Sequence, residues 1–177
     1  MIKLLEGKGI LLRPLEKLDL ADLNEWRNDY SIFKNLGGGF QPLSIDQQAL
    51  WMDNMIDLTS NNKRFMITKN NNSIGVVGLY NINYINRNCE FGIYIGNKSY
   101  HGKGIGKEAT LLMINYAFQN LNMRKVKLLV NDDNFAHKMY EKLGFRNVGF
   151  YENERYVNGK YLNVYIMELL YEQFKGV

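Results

Sequence analysis

Cysteine and proline are both scarce in this 177-residue chain, with one cysteine, Cys89, and two prolines, Pro14 and Pro42. A single thiol excludes an intramolecular disulfide and a cysteine-rich metal site, and it suits a reducing compartment. Without a Pro/Ser-rich linker, residues 1–177 read as one domain, long enough to bury a core. No apolar run approaches the ~20 residues of a membrane span. The opening stretch MIKLLEGKGILLRPLE is too interrupted for the apolar centre of a secretion signal. Together these absences predict a soluble, cytoplasmic protein that does not enter a membrane. Only two histidines exist, His101 and His137. Neither belongs to a spacing that a metal would need, so no metal is expected.

Charge excludes a further class. The formal net charge is +4, but Lys and Arg are spread along the chain with no run of five or six. No aromatic–basic interleaving appears either, so nucleic acid is not an expected partner. A small anionic ligand fits the mild basic excess. At 46% hydrophobic and 23% charged, the composition is that of a soluble globular domain. Nothing in it decides for or against a homo-oligomer.

Periodicity supplies the elements. Ile10–Arg13 reads as a first strand. Leu18–Tyr30 places Leu20, Leu23 and Trp26 at helical spacing behind Asp19 as cap. Gly37, Gly38 and Gly39 break the chain before Pro42. Ser44 and Gln47 then match a capping box for a second helix with Ile45, Ala49, Met52 and Ile56 on one stripe. Arg64–Thr68, Ile74–Asn81 and Glu90–Ile95 are short, rich in β-branched and aromatic residues, and separated by Asn-rich turns such as Asn70–Ser73. In the last of these strands Phe91, Ile93 and Ile95 share one face, and Glu90, Gly92 and Tyr94 the other. Lys107–Leu121 carries the strongest helical pattern. Val126–Val130 is a covered strand. Asp133–Leu143 is a short helix ended by Gly144, and strands follow near Asn147–Tyr151 and Leu162–Leu170.

The stretch YHGKGIGKEA (residues 100–109) joins the third of the three consecutive strands to the strongest helix. It is not a P-loop, because His101 stands where that motif needs its first glycine and Glu108 where it needs Ser or Thr. It is not a dinucleotide fingerprint, because Lys107 takes the place of the third glycine. What remains is strand, glycine turn, helix. The amides of residues 102–107 would lie at a helix N-terminus, where unpaired N–H groups and the dipole favour an anion. Glycines let an oxyanion come close, Lys103 and Lys107 add charge, and a pyrophosphate fits. A tight turn with no ligand is the alternative.

His101-Gly-Lys-Gly104-Ile-Gly106 resembles the (Gln/Arg)-x-x-Gly-x-(Gly/Ala) motif of the GNAT family of N-acetyltransferases, with His in place of the usual Gln or Arg. Asn134 and Ala136–Phe145 are similar to that family's second motif, N-x-A-x-x-x-Y-x-x-x-G-F, and the likeness spans about residues 8 to 170. The resemblance implies an α/β fold: a mixed, mostly antiparallel, twisted sheet of about seven strands flanked by helices, with two splayed parallel strands holding the cosubstrate. It implies acetyl-CoA as acetyl donor, bound by His101, Gly102, Lys103, Gly104, Ile105, Gly106 and Lys107, with its pyrophosphate on residues 102–107. The pantetheine arm would run along Phe91, Ile93 and Ile95, with Asn134 adding a hydrogen bond. A primary amine then attacks the thioester directly. That demands a neutral amine, a polarised carbonyl and a proton for the departing thiolate.

Tyr140 falls on the motif's tyrosine and is the expected proton donor, although its spacing also fits a core aromatic. Glu90 is the expected base, with a surface ion pair to Arg87 as the competing account. Glu152 and Glu154 offer alternatives on the acceptor side. Cys89 is not expected to act as a nucleophile. The acceptor is less defined. The resemblance puts its pocket between approximately Trp26–Pro42 and Glu152–Tyr161. Leu12–Asp29 is similar to the branch that acetylates protein N-termini, typified by ribosomal-protein alanine acetyltransferases, which points to a peptide or small-molecule amine. Ile82–Glu90, Leu121–Val130 and Tyr156–Tyr161 are similar to spermidine N-acetyltransferases. A polyamine pocket needs carboxylates, yet the stretch Asn35–Pro42, which is acidic in that branch, carries none here. A non-catalytic acyl-CoA sensor is the remaining alternative, and Tyr140 argues against it.

Overall fold

The computed structural model describes residues 5–34, 36–37 and 39–175. Gly38 of the glycine break, Asn35 of the acid-free stretch and residues 1–4 of the opening stretch lie outside the described residues. One sheet organises the rest, with strands in the order β1-β2-β3-β4-β5-β6-β8-β7. They are β1 (Leu5–Gly7), β2 (Ile10–Pro14), β3 (Lys63–Lys69), β4 (Asn72–Asn83), β5 (Asn88–Ile95), β6 (Lys125–Asn131), β7 (Arg146–Val157) and β8 (Lys160–Leu170). Eight strands replace the expected seven, because the three-residue β1 pairs with β2. Three residues are too few to show a period in sequence.

Every neighbouring pair is antiparallel except β5 and β6. Those two run parallel, and their register stops after Asn88↔Lys125, Cys89↔Val126 and Glu90↔Lys127. Beyond Glu90 the strands part. β5 remains held on its other side by β4 as far as Gly75↔Ile95, and β6 by β8 as far as Asn131↔Val164.

The period-2 alternation of the strands sorts the core into two halves. Ile67, Val77, Leu79, Phe91 and Leu128 face α4 (Ile105–Asn115) and α5 (Ala136–Lys142), meeting Ala109, Met113 and Tyr140. Their neighbours Met66 and Val76 face the other way. There they meet Leu23 and Trp26 of α1 (Leu20–Arg27), Phe33 of α2 (Tyr30–Phe33), and Met52 and Met55 of α3 (Ile45–Met55). Ser44 and Gln47 form the expected reciprocal capping box. The buried stripe of α3 is Gln48, Met52 and Met55, however, and Ile45 is exposed. The long helix expected to Leu121 closes at Asn115 and widens into a π-turn over Tyr116–Asn120.

Asp19 does not cap α1 with its side chain. Fully buried, it takes a fork from Arg13 at 2.8 and 2.6 Å and accepts the Glu16 N–H at 2.8 Å. It therefore ties the β2 exit to the 3-10 turn (Lys17–Asp19) that leads into α1. Removing one partner of such a buried pair costs about 3–5 kcal/mol.

The α1 layer is seated by a glycine. A Cβ placed on Gly96 would lie 2.0–2.4 Å from ring atoms of Trp26, so the indole packs directly on backbone just after β5. Gly96→Ala forces this buried ring to move, and over-packing of this kind costs about 1–3 kcal/mol. Urea unfolding of the variant is expected to show that loss; an unchanged midpoint would mean Trp26 reorients freely.

Candidate active site

After β5 the chain makes a 3-10 turn, Lys98–Tyr100, and then the glycine turn that starts α4. Gly102 and Gly104 have φ of +71° and +76°, a conformation that L side chains rarely adopt. Gly104 occupies the N-cap position of α4, so no side chain caps the helix. A Cβ at Gly102, Gly104 or Gly106 would meet nothing within 4 Å. The open space over uncapped amides at a helix N-terminus is what a pyrophosphate requires. The buried Thr110 hydroxyl donates to Gly106 O at 2.6 Å, and Glu108 accepts the Lys8 N–H at 2.9 Å. These two contacts fix the first turn of α4.

A cavity of about 830 Å³ runs from this turn along the parted edge of β5, lined by His101, Gly102, Gly104, Ile105, Gly106 and Lys107 together with Ile93 and Ile95. Asn134, Phe135, Ala136 and Met139 form the opposite wall. Two expected members act differently. The His101 ring donates through Nε2–H to Ile95 O at 2.9 Å, so it braces the turn against the strand end. The Lys103 ammonium lies 5.5 Å from the centre of the Tyr100 ring, and Lys103 is not part of the cavity wall. Asn134 accepts the Ala136 N–H at 2.9 Å, which secures the start of α5.

A second cavity of about 460 Å³ lies beside the first and contains Phe91, Glu90, Tyr140, Tyr80, Asn81, Asn131 and Arg155 in its wall. Leu36, Ile93 and Asn134 line both, so the two cavities adjoin at the parted strands. Tyr140 is nearly buried, with its ring 6.1 Å from Phe91 and 5.7 Å from Phe145 in edge-to-face contact. Burial pushes its phenol well above the usual tyrosine range, so it remains protonated at any physiological pH. Tyr140 is therefore a core aromatic that also lines the cavity. Glu90 pairs in register with Tyr80 on β4 and Lys127 on β6, at the last position before the strands part. The alternative ion pair with Arg87 is absent. The Arg87 guanidinium donates instead to Asn122 O at 2.8 Å and Asn122 Oδ1 at 2.6 Å.

Glu152 and Glu154 are exposed on β7 and do not line this cavity; Arg155 does. The β7–β8 register shifts between Tyr151, which pairs with Val164, and Arg155, which pairs with Leu162. Arg155 Nη1 donates to Asn131 Oδ1 at 2.6 Å. Burial lowers the guanidinium pKa, partly opposed by Glu154. Tyr80 also escaped the sequence reading. Its ring lies across Gly78 and Gly92, paired glycines on β4 and β5, and a Cβ on either would come within 3.0 Å of it. Glycines flanking an aromatic were the available signal. Arg64 stacks behind Tyr80 at 5.0 Å. Tyr30, the first residue of α2, donates its hydroxyl to Asn158 in the β7–β8 turn. That contact links the two walls expected to enclose the acceptor.

Cys89 is fully buried, and burial pushes its thiol up to about 12. The thiolate is the nucleophile, so the folded protein is expected to resist iodoacetamide at pH 8 and to react once unfolded in urea. Rapid modification of the folded chain, followed by mass spectrometry, would contradict this placement. Among the described residues, no three His, Cys, Asp or Glu side chains gather as a metal site would require. Among the same residues, no helix is long and apolar enough to cross a membrane.

The geometry agrees with comparison to known proteins. The acetyltransferase (GNAT) domain family matches residues 10–146. Spermidine N(1)-acetyltransferase of Escherichia coli (strain K12) is 31% identical over 167 residues, covering 94% of this chain and 88% of that protein. A putative ribosomal N-acetyltransferase of Bacillus subtilis is 31% identical over 103 residues, covering 58% of this chain and 56% of that one. The crystal structure of spermidine N-acetyltransferase from Vibrio cholerae in complex with CoA and spermine superposes with a TM-score of 0.87 at 30% identity, covering 94% of this chain and 98% of that one. The parted strands, the open glycine turn and these matches lead to one conclusion: the chain belongs to the GNAT family and is an acetyl-CoA-dependent N-acetyltransferase.

Proposed function

We propose that acetyl-CoA lies in the larger cavity, its pyrophosphate on the amides of residues 102–107 and its pantetheine arm against Phe91–Ile95, and that a peptide or small-molecule amine enters the smaller one. The observation that carries this reading is the junction of the two cavities at Ile93, Leu36 and Asn134, with Tyr140 and Glu90 in the acceptor-side wall. Glu90 takes the proton from the acceptor ammonium, directly or through water. The amine lone pair forms the C–N bond, the C–S bond breaks as the Tyr140 hydroxyl protonates the thiolate, and the second proton released from the nitrogen, carried through water, restores the phenol. Burial makes the phenol a weak acid, but it raises the basicity of a desolvated thiolate as well, so the transfer remains feasible.

A polyamine acceptor is the second reading, favoured by the spermidine acetyltransferases among the relatives. The test is thiol release from acetyl-CoA against spermidine, spermine, an Ala-initiated peptide, an amino sugar and simple alkylamines. Turnover of any of them supports transfer to an amine, and the ranking decides between readings. Inactivity toward all of them overturns the acceptor assignment. Tyr140→Phe is expected to lower kcat by on the order of 100-fold while acetyl-CoA affinity is kept; an unaltered kcat with the same pH profile would remove Tyr140 from the chemistry. Gly104→Val places a side chain where the phosphates belong and strains a left-handed position. Calorimetry is expected to show loss of acetyl-CoA binding in a variant whose circular dichroism is native, and retained affinity would displace the pyrophosphate from this turn.

A further inference from the structure

We propose that Phe135 stacks on the adenine of acetyl-CoA, so that the enzyme distinguishes a nucleotide-borne thioester from a phosphopantetheine thioester that lacks the base. The inference rests on the donor placement proposed above and extends it to the end of the donor farthest from the thioester.

Phe135 is 90% exposed, yet it belongs to the wall of the larger cavity, between Asn134 and Ala136. Among the exposed large apolar side chains of the described residues, it alone lines that cavity. The other rings of the wall are already engaged. Tyr94 packs edge-on against Trp26 and Phe33. Tyr100 has the Lys103 ammonium 5.5 Å from its centre. The His101 ring is bonded to Ile95 O. Phe135 is thus the ring that the cavity leaves open at its rim.

Its backbone is nonetheless fixed. Phe135 sits at φ −58° and ψ −19° just before α5. The Asn134 side chain accepts the Ala136 N–H at 2.9 Å, and the Asn134 carbonyl accepts the His137 N–H at 3.1 Å. Asn134 itself donates its N–H to Asn131 O at 3.1 Å. A ring presented on a tied turn loses little freedom when a ligand covers it.

The chemistry of the donor selects which part covers it. The pantetheine arm is thin and carries amides, which suit the open edge of β5. The phosphates are anions that need N–H donors, and a phenyl ring has none. Adenine is the flat aromatic part, at the opposite end from the thioester. With the thioester at the junction of the two cavities, the base lies toward solvent, where the exposed ring stands. Stacking a base on an aromatic side chain is favourable whatever the base, and it takes the phenyl face out of water.

The test compares the affinity of two probes, acetyl-CoA and S-acetyl-phosphopantetheine, which keeps the arm and one phosphate but has no base. Phe135→Ala is expected to weaken acetyl-CoA by about 10-fold or more and to leave the truncated donor unchanged. Phe135→Trp should retain the full affinity, and Phe135→Leu, apolar but not aromatic, should lose most of it. In the wild-type complex the ring current should shift the adenine proton resonances upfield, a shift that Phe135→Leu removes. Equal loss of both probes in Phe135→Ala, or acetyl-CoA affinity unchanged by it, overturns the inference and leaves the donor site intact. Failure of the wild type to bind acetyl-CoA overturns the donor placement as well, a result distinct from a change between variants.

Discussion

The molecule depends on a parallel strand pair that stops after three residues. β5 and β6 share only Asn88–Glu90 with Lys125–Lys127, and an interior sheet gap would ordinarily leave backbone groups without partners. Such groups are costly when buried. Here each strand keeps its outer antiparallel neighbour, β4 or β8, so the sheet survives while one edge of each strand faces the opening. A ligand with its own amides can complete the ladder. The gap does not collapse because large side chains wedge its base: the Phe91 and Tyr140 rings meet edge to face at 6.1 Å.

From that opening the alternation of one strand divides the chemistry. Phe91, Ile93 and Ile95 belong to the side of α4 and α5. Glu90, Gly92 and Tyr94 belong to the side of α1 to α3, where Tyr94 packs edge-on against Trp26 and Phe33. The chain therefore passes a carboxylate and a glycine to that face at alternate positions. The glycine matters because its partner Gly78 is also bare, and the Tyr80 ring fills the space that two Cβ atoms would have occupied. Deleting side chains at paired positions is how a sheet makes room for an aromatic lying flat on it.

Much of the architecture was legible because local chemistry and global fold agree. Ser44 with Gln47, Gly144 with φ +98° and the Asn70–Asn71 turn each carry their own geometric reason. The glycine turn was legible for the same cause, since few conformations other than an open anion cradle need glycines so spaced before a helix. Misplaced residues were those governed by distant partners. Asp19 reads as a cap until Arg13, six positions earlier, arrives from another element. His101 lines the larger cavity, and the end of β5 fixes its ring, a contact that local sequence does not show. Glu152 and Glu154 stay exposed on β7, outside the cavity lining. Arg155 had no local signature: its place on the cavity wall comes from a hairpin folding back over β6, and its contact with Asn131 spans 24 positions.

Burial acts on two ionisable groups near the parted strands and sends them to opposite uses. Cys89 and Tyr140 are both raised by desolvation, and in both the neutral form dominates at neutral pH. A thiol must lose its proton to be useful, so burial silences Cys89. A phenol must keep its proton to be able to give one, and the same burial keeps the Tyr140 hydroxyl protonated, as the proposed transfer requires. What separates them is access. Cys89 lies within the paired segment of β5, whereas Tyr140 stands where the strands have parted, in the wall of the smaller cavity. The position along one strand pair, before or after Glu90, thus decides which buried group can take part in the chemistry.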